Sequence, residues 1–564
     1  MKNRQPSPGA PDPNPLAAHR QLPRQWGVVA PLLLMALAGV AYLWFVHHFG
    51  VSVVRTDEWT LVPMVGAMHA GQLTLGMLWS QHQENRMLVP NLIQILLARA
   101  THFDMRAPMY LGAALLILTL VVLVAFYRGM GRWAYWAMVP VAVLLLSWVQ
   151  VWNALFGFQM AWYLVLLCLA VVIACLARPG YVPYALALAA ALVASYSSLQ
   201  GLFLWPCGLA MLLWWPSAGR RATGWVGAGF VATTIYFYQY NFNTGGAPLL
   251  SYVLDHHRAA VKYLLITIGT VMPGLRSAAT AASPQGSLAA TGVAGALILG
   301  LALVALVAIV WLGRPDPYLR GAFALIVFGL LFDLAVDLGR AFSGANQLFV
   351  LWRYPTYNLV MLAGVWLVAV RLWQRLGPSR LPVLRLVTGG LLALLVVQAG
   401  LAYHFGAAEA ATTASQSRTA RDVLANFRTA PPTLENQYLV LDWPEVQSWA
   451  PILVRLQDNV FDGSAAAAYR RIGIVPGGVR GRLLPVPADL SSDLSSSPLA
   501  ARAWGVLSTI YDQLPTLRGA YPLAEPGFAK ALMRWAAGPA QQEPTVAEYL
   551  APYRKVLAQL EAKA

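Results

Sequence analysis

The stretch WGVVAPLLLMALAGVAYLWFV, residues 26–46, contains no charged side chain. As a helix rising about 1.5 Å per residue it reaches roughly 30 Å, the thickness of a bilayer's hydrocarbon core. Runs of similar length recur at about 107–127, 133–149, 158–177, 181–197, 201–216, 222–240, 289–312, 320–339, 355–371 and 385–403, in a chain of 58% hydrophobic and 11% charged residues. Only a helix satisfies its own backbone polar groups in hydrocarbon, so the expected fold class is an all-α polytopic membrane protein with about eleven transmembrane helices. Residues 1–25 hold six prolines and no apolar period, which reads as a disordered cytoplasmic leader. The first run is too long for an ordinary cleaved signal and reads as an anchor.

The net charge of +16 belongs to the apolar part: residues 1–403 carry 24 Lys and Arg against 9 acids, whereas 404–564 carry 15 against 14. With the N-terminus inside, fifteen of those basic residues fall in short inner segments and nine in the longer outer ones. This predicts a cytoplasmic N-terminus and a tail on the outer side of the membrane. Charges that bracket spans do not make a continuous basic stripe, so nucleic acid is excluded as a partner. The three cysteines, Cys168, Cys175 and Cys207, lie inside apolar runs and read as small core residues.

Two outer segments are long, 47–106 and 241–288. In the first, Leu61–Ala70 and Leu88–Ala98 have helical apolar spacing but are too short to cross, with Pro90-Asn91 expected to interrupt the second. They read as interface helices of a long first periplasmic loop. The organisation expected is a leader at 1–25, a transmembrane domain at 26–403 and a small periplasmic α/β region at 404–564. In that last region Tyr438–Asp442 with Trp443-Pro444 reads as a short buried strand ended by proline, 446–456 as a helix, 490–498 as a linker, and 499–517, 528–535 and 546–562 as helices.

Between Met1 and Tyr403 there are nine carboxylates, and two of them are adjacent in Arg55-Thr-Asp-Glu-Trp59, just past the first span. Acids near hydrocarbon are costly unless paired or functional. Asp57 and Glu58 are therefore the candidate catalytic residues, a partly desolvated carboxylate being able to take the proton of an attacking hydroxyl. The competing reading is a helix cap at Thr56 or Asp57. In Gln81-His82-Gln83-Glu84-Asn85-Arg86, alternation along an extended segment would turn His82, Glu84 and Arg86 toward one pocket as substrate-binding residues, or else an internal ion pair fixes the loop. Asp333, Asp337 and Arg340 share a helical face at the outer end of the ninth run, followed by Trp352-Arg353-Tyr354-Pro355. Arg340 and Arg353 suit a phosphate, because a guanidinium offers two parallel charge-assisted hydrogen bonds, and Asp337 and Tyr354 complete that candidate set. The alternative is mutual neutralisation of Asp337 and Arg340 within the bundle. Trp152, Asn153 and Gln159 are candidate sugar contacts, while Asp255-His256-His257-Arg258 reads as a polar outer-surface segment or an acceptor contact. No cluster has metal-ligand spacing, and a phosphate leaving group held by arginines requires no metal and no cofactor.

The order of parts, a single span, Asp-Glu opening a long outer loop with two interface helices, then many spans and an outer tail, resembles the C-type (GT-C) superfamily of integral-membrane glycosyltransferases over about residues 26–403. The resemblance implies a polyprenyl-phosphate sugar as donor, a glycan, lipid or protein as acceptor, membrane lipids as surroundings, and an inverting transfer with Asp57 or Glu58 at the catalytic acidic position. His82 stands where many members have a histidine; Gln83-Glu84 stand where two prolines are commonest. Three other readings remain: an O-antigen polymerase or ligase, a lipid or solute transporter such as a flippase, and a non-catalytic scaffold presenting the tail to cell-envelope partners.

Overall fold

A computed structural model describes residues 26–131, 133–214, 219–242, 249–273, 284–311, 316–344, 353–376, 382–427, 435–439, 443–462, 484, 490–513, 527–538, 546–547 and 550–564. Each of the eleven apolar runs forms a helix, and eight helices are long and apolar enough to cross a membrane among the described residues. The chain is an all-α, multi-pass membrane protein. Two of the remaining runs are short, Tyr181–Ser195 at 15 residues and Leu204–Leu213 at 10. The other, Gly219–Phe237, opens on Arg220 and Arg221.

The core is organised around Pro355–Leu376, whose first sixteen residues, 355–370, are all buried. It packs along Pro317–Arg340, and glycines set how closely the two helices approach. A Cβ on Gly364 would lie 2.9 Å from the Ala322 carbonyl, and one on Gly329 would lie 2.6 Å from Met361 Cβ. Close backbone approach of this kind supplies van der Waals contact where lipid provides no hydrophobic drive. The start of Pro317–Arg340 is fixed by Asp316, whose carboxylate accepts from the N–H of Tyr318 at 2.9 Å and of Leu319 at 3.3 Å, with proline at the first helical position.

The long segment after the first span, 47–106, holds two further helices. Leu61–His69 forms a helix, and so does Leu88–Ala100 without interruption. Pro90 was expected to break it, but it falls in the first helical turn, where an absent N–H leaves no bond unmade. Between them lies the only sheet among the described residues, a hairpin pairing Gln81 with Arg86 and His82 with Asn85. The second long segment, 241–288, contributes His257–Gly269, packed against Pro284–Trp311.

The tail departs from expectation in three places. The last apolar run does not stop at 403: Pro382–Ala425 is one helix of 44 residues, roughly 66 Å long, so the expected domain boundary falls inside it. Tyr438–Leu439, read as the start of a strand, belongs to a wide helical turn, Glu435–Leu439, packed on that long helix; 440–442 lie outside the described residues. With no neighbouring strand among the described residues to pair with, an extended segment would leave its backbone groups unsatisfied. The expected linker at 490–498 is instead the short helix Ser491–Ser496, tied to the chain's end by Lys563 Nζ at 2.8 Å from Asp493. Pro498–Gln513, Phe528–Ala537 and Arg554–Lys563 are the helices of a second, separate core around Trp504, Leu507 and Leu532.

Candidate functional site

Asp57 and Glu58 part company within a single turn. Thr56–Thr60 is a short 3₁₀ helix in which the Glu58 carboxylate reaches back to accept from the Arg55 N–H at 3.1 Å. Glu58 is fully buried and performs the capping that the sequence offered to Thr56 or Asp57. Burial pushes its carboxyl up to about 8 against the opposing pull of Arg55. Asp57, one residue earlier, points the other way, into a cavity of ≈ 320 Å³.

That cavity gathers groups from distant parts of the chain. Asp57 Oδ1 is 3.4 Å from His82 Nε2, and Asp57 Oδ2 is 3.3 Å from Arg353 Nη1. Burial raises the Asp57 carboxyl, but the His82 hydrogen bond and the charge of Arg353 outweigh it and hold the group below the ordinary carboxylate range. Across the cavity Arg340 Nη2 bridges Glu84, at 3.0 and 2.9 Å from its two oxygens, and donates to Gln83 Oε1 at 3.1 Å. Tyr354 lines the same wall, its ring parallel to Trp162 at 6.4 Å and edge-on to Phe332 at 5.7 Å.

The hairpin explains why His82 and Glu84 face this cavity and Arg86 does not. Alternation holds along one strand only, and here the chain reverses at Gln83-Glu84, between His82 and Asn85. Arg86 lies across from Gln81, is 5% exposed, and donates to the carbonyls of Trp79, Tyr238 and Gln239 at 2.8, 3.0 and 2.9 Å. It is an anchor of the loop rather than a cavity group. The hairpin tip is further held by the Tyr236 and Tyr240 hydroxyls, which donate to the Glu84 carbonyl at 2.8 and 3.0 Å.

Arg353 is positioned from behind. Asn153 Nδ2 donates to the Arg353 carbonyl and to Thr356 Oγ1, both at 2.7 Å, and Thr356 Oγ1 donates to Gln150 Oε1 at 2.9 Å. The Phe156 ring lies under two guanidiniums, Arg353 at 5.9 Å and Arg55 at 5.6 Å. Asn153, a candidate sugar contact by sequence, thus sits behind the wall; Gln159 does line the cavity. Asp337 makes no ion pair among the described residues, and Arg340 turns to Glu84 instead. Asp337 and Asp333 are buried within the helix bundle, outside the cavity lining. Asp255, His256, His257 and Arg258 are exposed.

Asn85, Ser198 and Gln200 complete the polar lining. Asn85 Oδ1 accepts from Ser198 Oγ at 3.1 Å and from the Leu199 N–H at 2.9 Å, and the Ser198 hydroxyl also donates to Gln200. None of the three stands out in the sequence as a site residue. The only local signal was a polar Tyr196-Ser-Ser-Leu-Gln200 break between two apolar runs.

Neither a protein-family model nor a curated protein matches the chain.

Proposed function

We propose that the chain is a membrane glycosyltransferase, which moves a sugar from a polyprenyl-phosphate donor to a hydroxyl acceptor at the outer face of a bacterial inner membrane. The observation that carries this reading is the convergence of Asp57, His82, Arg353, Glu84 and Arg340 on one cavity, from residues up to 296 positions apart. Asp57 and Arg353 face each other there, so an acceptor oxygen beside the carboxylate and a phosphate beside the guanidinium would be neighbours.

In this reading the acceptor oxygen attacks the sugar's anomeric carbon as the bond from that carbon to the phosphate oxygen breaks, inverting the configuration. The electron pair of the broken bond leaves with polyprenyl phosphate, whose charge Arg353 and Arg340 would carry with no metal invoked. The proton of the acceptor passes to Asp57. A carboxylate of low basicity suffices for this step, because the attacking oxygen becomes strongly acidic once its bond to carbon has begun to form. His82, hydrogen-bonded to Asp57, keeps that carboxylate oriented. Glu84 holds Arg340 against the hairpin, and Tyr354 with Trp162 gives the sugar an aromatic wall.

In this reading the cavity opens at the outer leaflet, within reach of a lipid-linked donor, and the N-terminus and inner arginines lie on the cytoplasmic side. The test is release of polyprenyl phosphate from a panel of polyprenyl-phosphate sugars by the purified chain, followed by mass spectrometry with and without added glycan or lipid acceptors. Release from at least one donor, dependent on acceptor and on Arg353, is the expected result. No release from any member of the panel by well-folded protein would set the reading aside.

A further inference from the structure

Two of the helices that reach the cavity at one end carry a second hollow at the other. Met160–Leu176 begins beside Ala161 and Trp162 of the cavity and runs out at Arg178; Pro317–Arg340 ends in the cavity and begins at Pro317 and Tyr318. With 17 and 24 residues these helices place the two hollows roughly 25–36 Å apart, at opposite faces of a bilayer. The second hollow, of ≈ 270 Å³, is lined by Phe126, Arg128, Gly129, Arg178, Pro317 and Tyr318.

Its floor is fixed and its charge is one-sided. The Tyr318 ring packs on Phe126 at 5.5 Å and lies under the Arg371 guanidinium at 5.1 Å. Arg371 in turn pairs with Asp316 at 2.8 Å, and Arg375 with the same carboxylate at 3.3 Å. The Tyr318 phenol abuts Gly129, where any Cβ would collide with it, so the hydroxyl is delivered to the hollow beside Arg128. Asp316, the only acid in this group, is already occupied by two arginines and two backbone N–H donors. Arg128 and Arg178 are exposed and form no ion pair among the described residues. A topological charge bias accounts for arginines at this face, but not for a hollow between two helix ends with an oriented phenol at its base.

We propose that this hollow binds the phosphate of an anionic glycerophospholipid of the adjoining leaflet, with Arg128 and Arg178 paired to the phosphate oxygens and the Tyr318 hydroxyl donating to a third. A basic pocket between membrane helices at bilayer depth suits a headgroup whose acyl chains remain in the membrane. The recognised chemistry, a phosphate anion, is shared with free phosphate, and the experiment separates the two.

The purified full chain in neutral detergent is titrated with phosphatidylglycerol, phosphatidylcholine and inorganic phosphate, and bound species are counted by native mass spectrometry. Phosphatidylglycerol should be retained in preference to phosphatidylcholine. That preference should fall about thirtyfold in the Arg128→Gln/Arg178→Gln variant, as two lost surface cations imply. Tyr318→Phe, which keeps the ring stack and removes only the hydroxyl, should lower it by about fivefold. Equal retention of the two lipids by the parent chain would overturn the proposal, as would an unchanged preference in a double variant of parental Tm. Phosphate binding that depends on the same arginines without any lipid preference would also overturn it, by making the hollow a free-anion site.

Discussion

Replacing Asp57 with Asn separates catalysis from folding, and the geometry sets the size of both effects. The carboxylate meets His82 and Arg353 at 3.4 and 3.3 Å, longer than the 2.7–2.9 Å or so of a tight charge-assisted bond. Its side chain is 17% exposed. Such a pair contributes less than a fully buried bridge, so the stability cost of Asp57→Asn should be about 1 kcal/mol. Loss of the proton acceptor should lower turnover by about 10²- to 10⁴-fold, equivalent to about 3–5 kcal/mol on the barrier. Donor binding should be unchanged or tighter, because Arg353 loses its competing carboxylate and the phosphate meets it unopposed. The assay is polyprenyl phosphate release at saturating and at limiting donor, with a Kd from a non-hydrolysable donor analogue and a thermal melt. In the parent, ionisation of Asp57 should not limit kcat/KM until pH falls below 3.8, since the group is held under that ordinary value and is active as the anion. Turnover of Asp57→Asn within tenfold of the parent would remove Asp57 from the chemistry.

Arg86→Ala should behave in the opposite manner, destabilising the protein by about 2–4 kcal/mol through three stranded carbonyls at 79, 238 and 239. Thermal melts and amide exchange of residues 81–86 would show this, and an unmoved Tm would contradict the anchoring role. Glu58→Gln tests the buried acid. The folded protein keeps the Glu58 proton up to about pH 8, whereas the unfolded chain releases it near 4.5. Folding therefore binds a proton between those values, and stability contributed by this group is full below 4.5 and is lost as pH rises through 8. In Glu58→Gln that decline should vanish, leaving the variant the more stable of the two at pH 9; parallel Tm-against-pH curves would show that Glu58 is not the titrating group.

The sequence carried the candidate acids, the histidine and both arginines, because each is a polar residue at the edge of an apolar run, where burial without purpose is expensive. It did not carry the separation of roles within them. Arg86 was grouped with His82 and Glu84 on the assumption of one extended strand, and a two-residue reversal at Gln83-Glu84 defeats that assumption. Arg340 was paired with Asp337 on its own helix, three residues away, but Glu84 reaches it from 256 positions along the chain. Asn85, Ser198 and Gln200 had at most a short polar break between apolar runs to mark them, since a polar residue in a loop looks the same whether it faces solvent or a cavity.

By itself the sequence determined that this is a helical membrane protein. A charge-free run of some twenty residues has no other way to satisfy its backbone in hydrocarbon, and such runs recur along the chain. Only the tertiary structure decided which carboxylate of the Asp57-Glu58 pair turns inward to cap its own helix and which meets Arg353. Adjacent side chains on a helical turn diverge by about 100° or more. Which direction is cavity and which is core depends on Phe156, Asn153 and the hairpin, groups brought there by the packing of distant helices.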